Sequence, residues 1–415
     1  MFARTALALS LAVTASPALA DTATYWGKLG KTDIVLELST AFEDADASVV
    51  GRYFYQKIGI DVPVHATDIG NGELVLFEER PCTDEICEPA RESGGLPDEL
   101  RGATWTLTSD DGGFHLTGTW STPDGGTPLE IDLSLFGTRP LELTAPASPL
   151  DMTGLPYEII EGREELSPDN APYDYLKATS VDPASAEEVD WGAVRFRYIT
   201  DPRSKFRFPQ VVDLGGEDPV PANTRLLTRR AVMTIAALDC EAQAYFGMGW
   251  SPGASNWLGT YGGYPDGLVE VRYLSPTVMS WSESGMLYCG GAYPEVHTYL
   301  TTIDVKTGQD LDLSRIFADS RMGEYRWEPG QSLIDLAIAR RSKAEHAFAE
   351  DCGIDELIAT NLAVTFKRGD IAVFTLQGLP HVIQACQDDI FEAPLSDLKD
   401  YLAPTAADYF PSLRN

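Results

Sequence analysis

Past its first twenty residues the chain has no apolar run approaching the about 20 residues that a membrane-spanning helix needs, so no membrane insertion is expected. Positive charge is scarce: 31 Lys and Arg stand against 63 Asp and Glu, a net charge of -32. A field of that sign repels nucleic acid and anionic lipid and draws cationic partners to the surface. Solubility or adaptation to salt would explain the same surplus without a partner. Histidine is also rare, and the five (His65, His115, His297, His346 and His381) include no H-x-H or H-x-x-x-H pair. With no C-x-x-C pair either, no metal site and no cofactor are expected. The acidic runs lack the D-x-[DN]-x-[DN]-G register of a calcium loop.

What is present begins with MFARTALALSLAVTASPALA. A lone Arg4, an apolar stretch from Ala6 to Val13 and an Ala18-Leu19-Ala20 site read as a cleaved signal peptide over 1–20. The expected location is therefore periplasmic or extracellular. An even set of six cysteines in an oxidising compartment favours disulfides. Neighbourhood along the chain favours Cys82–Cys87, closing the CTDEIC loop; of the pairings left open among the other four, Cys240–Cys289 with Cys352–Cys386 is the one taken.

From Asp21 to about residue 140 the pattern has period two. Ala103, Trp105 and Leu107 alternate with threonines, and Leu129, Ile131, Leu133 and Leu135 alternate with Glu130, Asp132 and Ser134; Phe114, Leu116 and Trp120 continue the series. Such alternation marks strands with one buried face, and the Gly- and Asp-rich separators mark their turns. An antiparallel β barrel or sandwich is expected, with Gly51 and Gly118 opening two related hairpins. Residues 141–156, rich in Pro, Ala and Thr, read as a linker. From 157 to 415 helix and strand mix, giving an α+β class overall. Asn223 is placed as the cap of a helix towards Ala242, and Ser332 as the cap of another carrying Leu333, Ala337, Ala344 and Phe348 on one face. Strands are expected at 268–274, 295–305, 361–367 and 370–376, and a short helix at 396–402.

The chemical motifs are weak. Gly249-Trp250-Ser251-Pro252-Gly253 fits G-x-S-x-G. A nucleophile elbow, however, uses the backbone N–H of the residue after the serine, and proline has none. His297 alternates with Tyr299, Ile303 and Val305 and reads as a core histidine. No catalytic residue is assigned. The aromatic, glycine-rich stretch 245–264 suits a recognition loop, with Trp250, Trp257, Tyr261 and Tyr264 as anchors; folding back of its tryptophans over the core is the alternative.

Residues 271–294, VRYLSPTVMSWSESGMLYCGGAYP, lead into a strand, then Asp304-Val305-Lys306-Thr307-Gly308-Gln309 and LDLSRIF. This order resembles an envelope domain shared by the extracellular part of the anti-sigma-V factor and the non-catalytic part of a group of peptidoglycan deacetylases. The likeness extends over about 170–402, taking in Asp201-Pro202-Arg203, Phe208-Pro209 and the stretch from Phe374 to Leu402. Tyr293 stands where that family usually has histidine, and Glu295 where asparagine is common. Gly290, Gly291, Tyr293, Asp304 and Gly308 carry the signature, and they read as architecture: glycines for tight backbone, Thr307-Gly308 for a turn.

The resemblance implies a sensing domain without its signalling apparatus, and in the anti-sigma relative that domain binds lysozyme, a basic protein. The expectation is a secreted, acidic recognition protein of the cell envelope, non-enzymatic, with a cationic, lysozyme-like partner. Two alternatives stand beside it: an envelope glycan or peptidoglycan hydrolase using a carboxylate pair about 5–9.5 Å apart, and a purely structural envelope protein.

Overall fold

The computed structural model describes residues 21–39, 49–70, 73–109, 112–141, 147–251, 268–287, 289, 295–323, 326–341 and 352–414. Its N-terminal part is a closed antiparallel barrel: β1 (Asp21–Leu29), β2 (Thr32–Ser39), β3 (Val50–Tyr55), β4 (Val62–Gly70), β5 (Glu73–Glu79), β6 (Arg101–Ser109), β7 (His115–Ser121) and β8 (Leu129–Pro140). Each strand pairs with the next and β8 returns to β1, so no sheet edge is left unpaired. The alternation selects the inward face. Ile34, Leu36, Tyr53, Val64, Leu76, Trp105, Leu107, Leu116 and Leu133 are buried and fill the interior. Phe114, just ahead of β7, and Leu129, the first residue of β8, depart from the expected pattern and lie exposed.

Gly51 and Gly118 do not open hairpins; they sit inside β3 and β7. A Cβ at Gly118 would lie 1.9 Å from the Thr106 carbonyl oxygen, and one at Gly51 2.5 Å from that of Glu37. Both glycines let neighbouring backbone close in where the barrel wall bends.

The expected linker is partly built into the body. Pro149–Met152 forms a 3-10 turn, Met152 is wholly buried, and its carbonyl accepts from Arg139 Nη2 at 2.7 Å. The helix Pro172–Thr179 then lies on the outside of the barrel, against β1, β2 and β8. Val35 and Phe54, outward-facing on their strands, are buried against Tyr173 and Leu176 of this helix.

Among the described residues the remaining chain builds three three-stranded antiparallel sheets and a two-stranded one, Arg321–Met322 with Trp327–Glu328. The first holds β9 (Ala184–Asp190), β10 (Arg195–Thr200) and β11 (Arg207–Asp213), and the second β12 (Leu268–Leu274), β13 (Val278–Leu287) and β14 (Glu295–Asp304). A third is formed by Leu362–Lys367, Ile371–Leu376 and Asp389–Pro394. The 23-residue helix Val220–Ala242 packs between the first two, with Phe196, Phe208, Leu226, Met233, Trp281 and Ile303 in one core.

Asn223 is not the cap of this helix, which starts three residues earlier with a proline in its first turn. Its amide instead bonds both backbone groups of Val211, accepting at 2.8 Å and donating at 3.0 Å, and so ties helix to strand. Ser332 is likewise inside its helix, Gln331–Arg340, whose cap is Gly330; Ala344 and Phe348 lie outside the described residues. The segment 396–402 is a 3-10 helix, Leu395–Tyr401, rather than an α-helix. The four strands expected after residue 260 are found within a residue or so of their limits.

Candidate functional site

Three disulfides join Cys82 to Cys87, Cys240 to Cys289 and Cys352 to Cys386, the pairs expected. The second ties the end of the long helix to the segment after β13, and the third ties Cys352, ahead of the helix Ile354–Asn361, to the segment before the last strand. Between the second and third sheets, in the region these bonds brace, opens a cleft of about 360 Å3.

Its floor follows from strand periodicity. On β13, Met279 and Trp281 point into the core, while Ser280, Ser282 and Ser284 alternate with them. Across the sheet Ser282 pairs with Leu300 and with Glu270, and Ser284 with Thr298, so these side chains share the face opposite the core. Ser280 and Thr302 continue that face through a hydroxyl bond of 2.8 Å. The far wall comes from the third sheet and the turn before its last strand: Thr375, Gln384, Gln387, Asp388 and Asp389. Gln387 Nε2 donates to the Thr298 carbonyl at 2.9 Å, and Thr375 Oγ1 to the Asp388 carbonyl at 3.1 Å, which hold the walls together.

The chemistry of the lining is hydroxyl, amide and carboxylate. Glu270, Asp388 and Asp389 face a single cation, Arg272, which lies 3.7 Å from Asp389. The lining therefore carries surplus negative charge among neutral hydrogen-bonding groups. It suits a polar, positively charged ligand. Among the lining residues there is no histidine, cysteine or lysine; serine hydroxyls and carboxylates are the reactive groups present. Among the described residues no group of three or more His, Cys, Asp or Glu could hold a metal.

Carboxyls pushed above their ordinary range lie elsewhere. Burial raises Glu78, which sits inside the barrel and accepts from the Tyr53 hydroxyl and Trp120 Nε1. Burial raises Glu241 on the long helix, and also Asp310 despite its 2.9 Å bond to Arg225. Asp174 belongs to a buried network between barrel and helix. There Arg52 meets Glu37 at 2.9 Å, Asp61 at 3.1 Å and Asp174 at 3.4 Å; Arg139 meets Glu37 at 2.9 Å; and Lys177 meets Asp61 at 3.0 Å and Asp239 at 2.9 Å. The Tyr173 ring stacks under the Arg52 guanidinium at 4.1 Å. Every one of these charges except Asp239 is essentially out of water, so the network fastens barrel to helix rather than binding anything.

The other residues singled out from the sequence are spread across the molecule. Trp250 is not an exposed anchor: it is buried on the Cys82–Cys87 disulfide with Leu100, Ile86 and Phe246. Trp257, Tyr261 and Tyr264 lie outside the described residues, as do Gly290, Gly291 and Tyr293. Asp304 and Gly308 close a tight turn in which Gly308 N donates to the Asp304 carbonyl at 2.9 Å with φ at +71°. Leu311, Leu313, Ile316 and Phe317 follow it into the core. Tyr299 is exposed, whereas Ile303 and Val305 are buried, so the inward face expected of that strand holds only at its end.

Sequence reasoning missed the cleft residues because β13 was not read as a strand. The S-W-S-E-S alternation at 280–284 was the available signal. No family model matches the chain, and no curated protein is significantly similar to it.

Proposed function

We propose that this chain is an exported, non-enzymatic recognition protein of the cell envelope, and that it captures a basic, lysozyme-like protein at the cleft between its second and third sheets. The observation that carries the reading is the lining itself: Glu270, Asp388 and Asp389 among hydroxyls and amides, on a chain of net charge -32. A basic side chain entering there exchanges water for several acceptors, and the surrounding field speeds its approach. Export rests on the pattern of residues 1–20, and three disulfides suit an oxidising compartment. No helix among the described residues is long and apolar enough to cross a membrane. The resemblance of residues 271–317 to the envelope domain of the anti-sigma-V factor points to the same partner class. The hydrolase alternative gains no support from the cleft, because none of the raised carboxyls described lines it.

Titration of the protein with lysozyme at about 20 mM and about 300 mM salt tests this. Saturable binding at low salt that weakens at least tenfold at high salt is expected, because the screening length shortens below about 8 Å beyond 0.15 M. A folded Glu270→Gln/Asp388→Asn double variant should bind several-fold more weakly at low salt. Absence of binding at low salt overturns the partner, and an unchanged double variant overturns the cleft.

A further inference from the structure

A second pocket, of about 270 Å3, lies between the first half of the long helix and strands β10 and β11. Its walls are mostly apolar: Ile199, Pro209, Val220, Leu226 and Leu227, with the guanidinium of Arg230. Val220, Leu227 and Arg230 fall at i, i+7 and i+10, on one side of the helix. Val220 stands 61% exposed at the mouth, whereas Arg230 is only 8% exposed.

Arg230 is the anomaly of this corner. Its neighbouring charges are Asp201 and Arg203. Asp201 is held by Arg203, accepting from its backbone N–H at 2.8 Å, from Nε at 3.1 Å and from Nη2 at 2.8 Å. Among the polar lining groups, Gln210 Oε1 accepts from Arg197 at 2.8 Å, the Asn223 amide is bonded to Val211, and Thr224 Oγ1 donates to the Val220 carbonyl at 3.0 Å. Arg230 makes no hydrogen bond or ion pair within the described residues. Burial lowers its pKa, Asp201 offsets this, and Arg203 adds repulsion. A guanidinium stays ionised regardless, and the Arg230 nitrogens are not sealed in, since none is among the buried atoms without a partner, so a ligand in the pocket can reach them. In a chain with twice as many acids as bases, such a charge is an unfilled acceptor site.

We propose that this pocket binds a small apolar monocarboxylate, its carboxylate forked on the Arg230 guanidinium and its body against Ile199, Pro209, Leu226 and Leu227. A planar fork matches a carboxylate with two parallel bonds. One cation among apolar walls suits a monoanion with an apolar body, while a phosphate would need more donors. The volume lies just under the about 300–1,000 Å3 of drug-sized sites, so the ligand is small.

Calorimetric titration of the full chain at low salt tests the proposal. Hexanoate probes a free aliphatic acid and N-acetyl-leucine the carboxyl end of an acylated amino acid; hexanamide and N-acetyl-leucinamide are their neutral controls. At least one acid should bind saturably, with its amide at least tenfold weaker. Arg230→Met should lose at least tenfold for that acid and leave the amide unchanged, and Leu227→Trp, which fills the pocket but keeps the arginine, should abolish binding. The proposal is overturned if neither acid saturates, if acid and amide bind alike, or if Arg230→Met keeps its affinity.

Discussion

Replacing Asp174 by Asn should remove a pH dependence of stability that the buried network builds into the protein. The network holds four carboxylates, Glu37, Asp61, Asp174 and Asp239, against three cations, Arg52, Arg139 and Lys177. Fully ionised, it would carry one more negative than positive charge, with Asp239 the one member that still meets water appreciably. Burial raises Asp174 from 3.8 to about 6, with Arg52 and Arg139 opposing the rise and Glu37 adding to it. Burial also works against ionised Glu37 and Asp61, but there the paired cations outweigh it and hold both below their ordinary values.

The signs separate the groups. A carboxyl raised in the folded state binds more protons folded than unfolded between the two pKa values, so stability rises as pH falls from above 6 towards 3.8. Glu37 and Asp61 act oppositely, but only as pH falls below the ordinary carboxylate range. At about 1.4 kcal/mol per pH unit, the gap from 3.8 to about 6 is worth at most about 3 kcal/mol. Sharing of the proton among coupled carboxyls reduces this, so about 1–3 kcal/mol is expected. Urea unfolding of wild type and Asp174→Asn at pH values from about 5 to 8 measures it. Groups outside the network are common to both proteins and cancel in the difference. Wild type should gain stability relative to the variant as pH falls from 8 to 5. Parallel curves across that window would refute the surplus-charge account.

Further outcomes follow from particular contacts. Cys240→Ser/Cys289→Ser opens a link across 49 residues and should cost about 4 kcal/mol, against about 2 kcal/mol for the five-residue link of Cys82 and Cys87, by urea midpoints. Asn223→Ala strands both backbone groups of Val211 and should cost about 1–3 kcal/mol, with faster amide exchange at Val211. Gly118→Ala puts a Cβ against the Thr106 carbonyl and should destabilise the barrel by about 1–3 kcal/mol or more, read from near-ultraviolet dichroism on heating. Trp250→Ala empties the packing over Cys82–Cys87 and should cost about 3–5 kcal/mol without altering lysozyme capture.

Much of the architecture was legible locally. Period-two runs such as Ala103, Trp105 and Leu107 identify strands because an inward side chain recurs every second residue. The Asp304–Gln309 turn and the Cys82–Cys87 bond were readable for the same reason: each depends on few, nearby residues. Helix starts were not, since Asn223 and Ser332 could each cap a helix, and only packing sets the register in which Asn223 reaches Val211 instead.

Composition and periodicity by themselves determined the acidic surface and the barrel strands, and chain neighbourhood the Cys82–Cys87 pair. The tertiary structure alone decided which polar residues leave water. Arg52 and Asp174 are 122 residues apart and meet only because a helix covers the outer wall of the barrel. Arg230 lies near Asp201 without bonding it, while Arg203 bonds that carboxylate three times. Charge on a strand or helix face looks the same in sequence whether solvent or another element lies over it. Desolvation, which turns such a charge into a fastening or a binding group, exists only after folding.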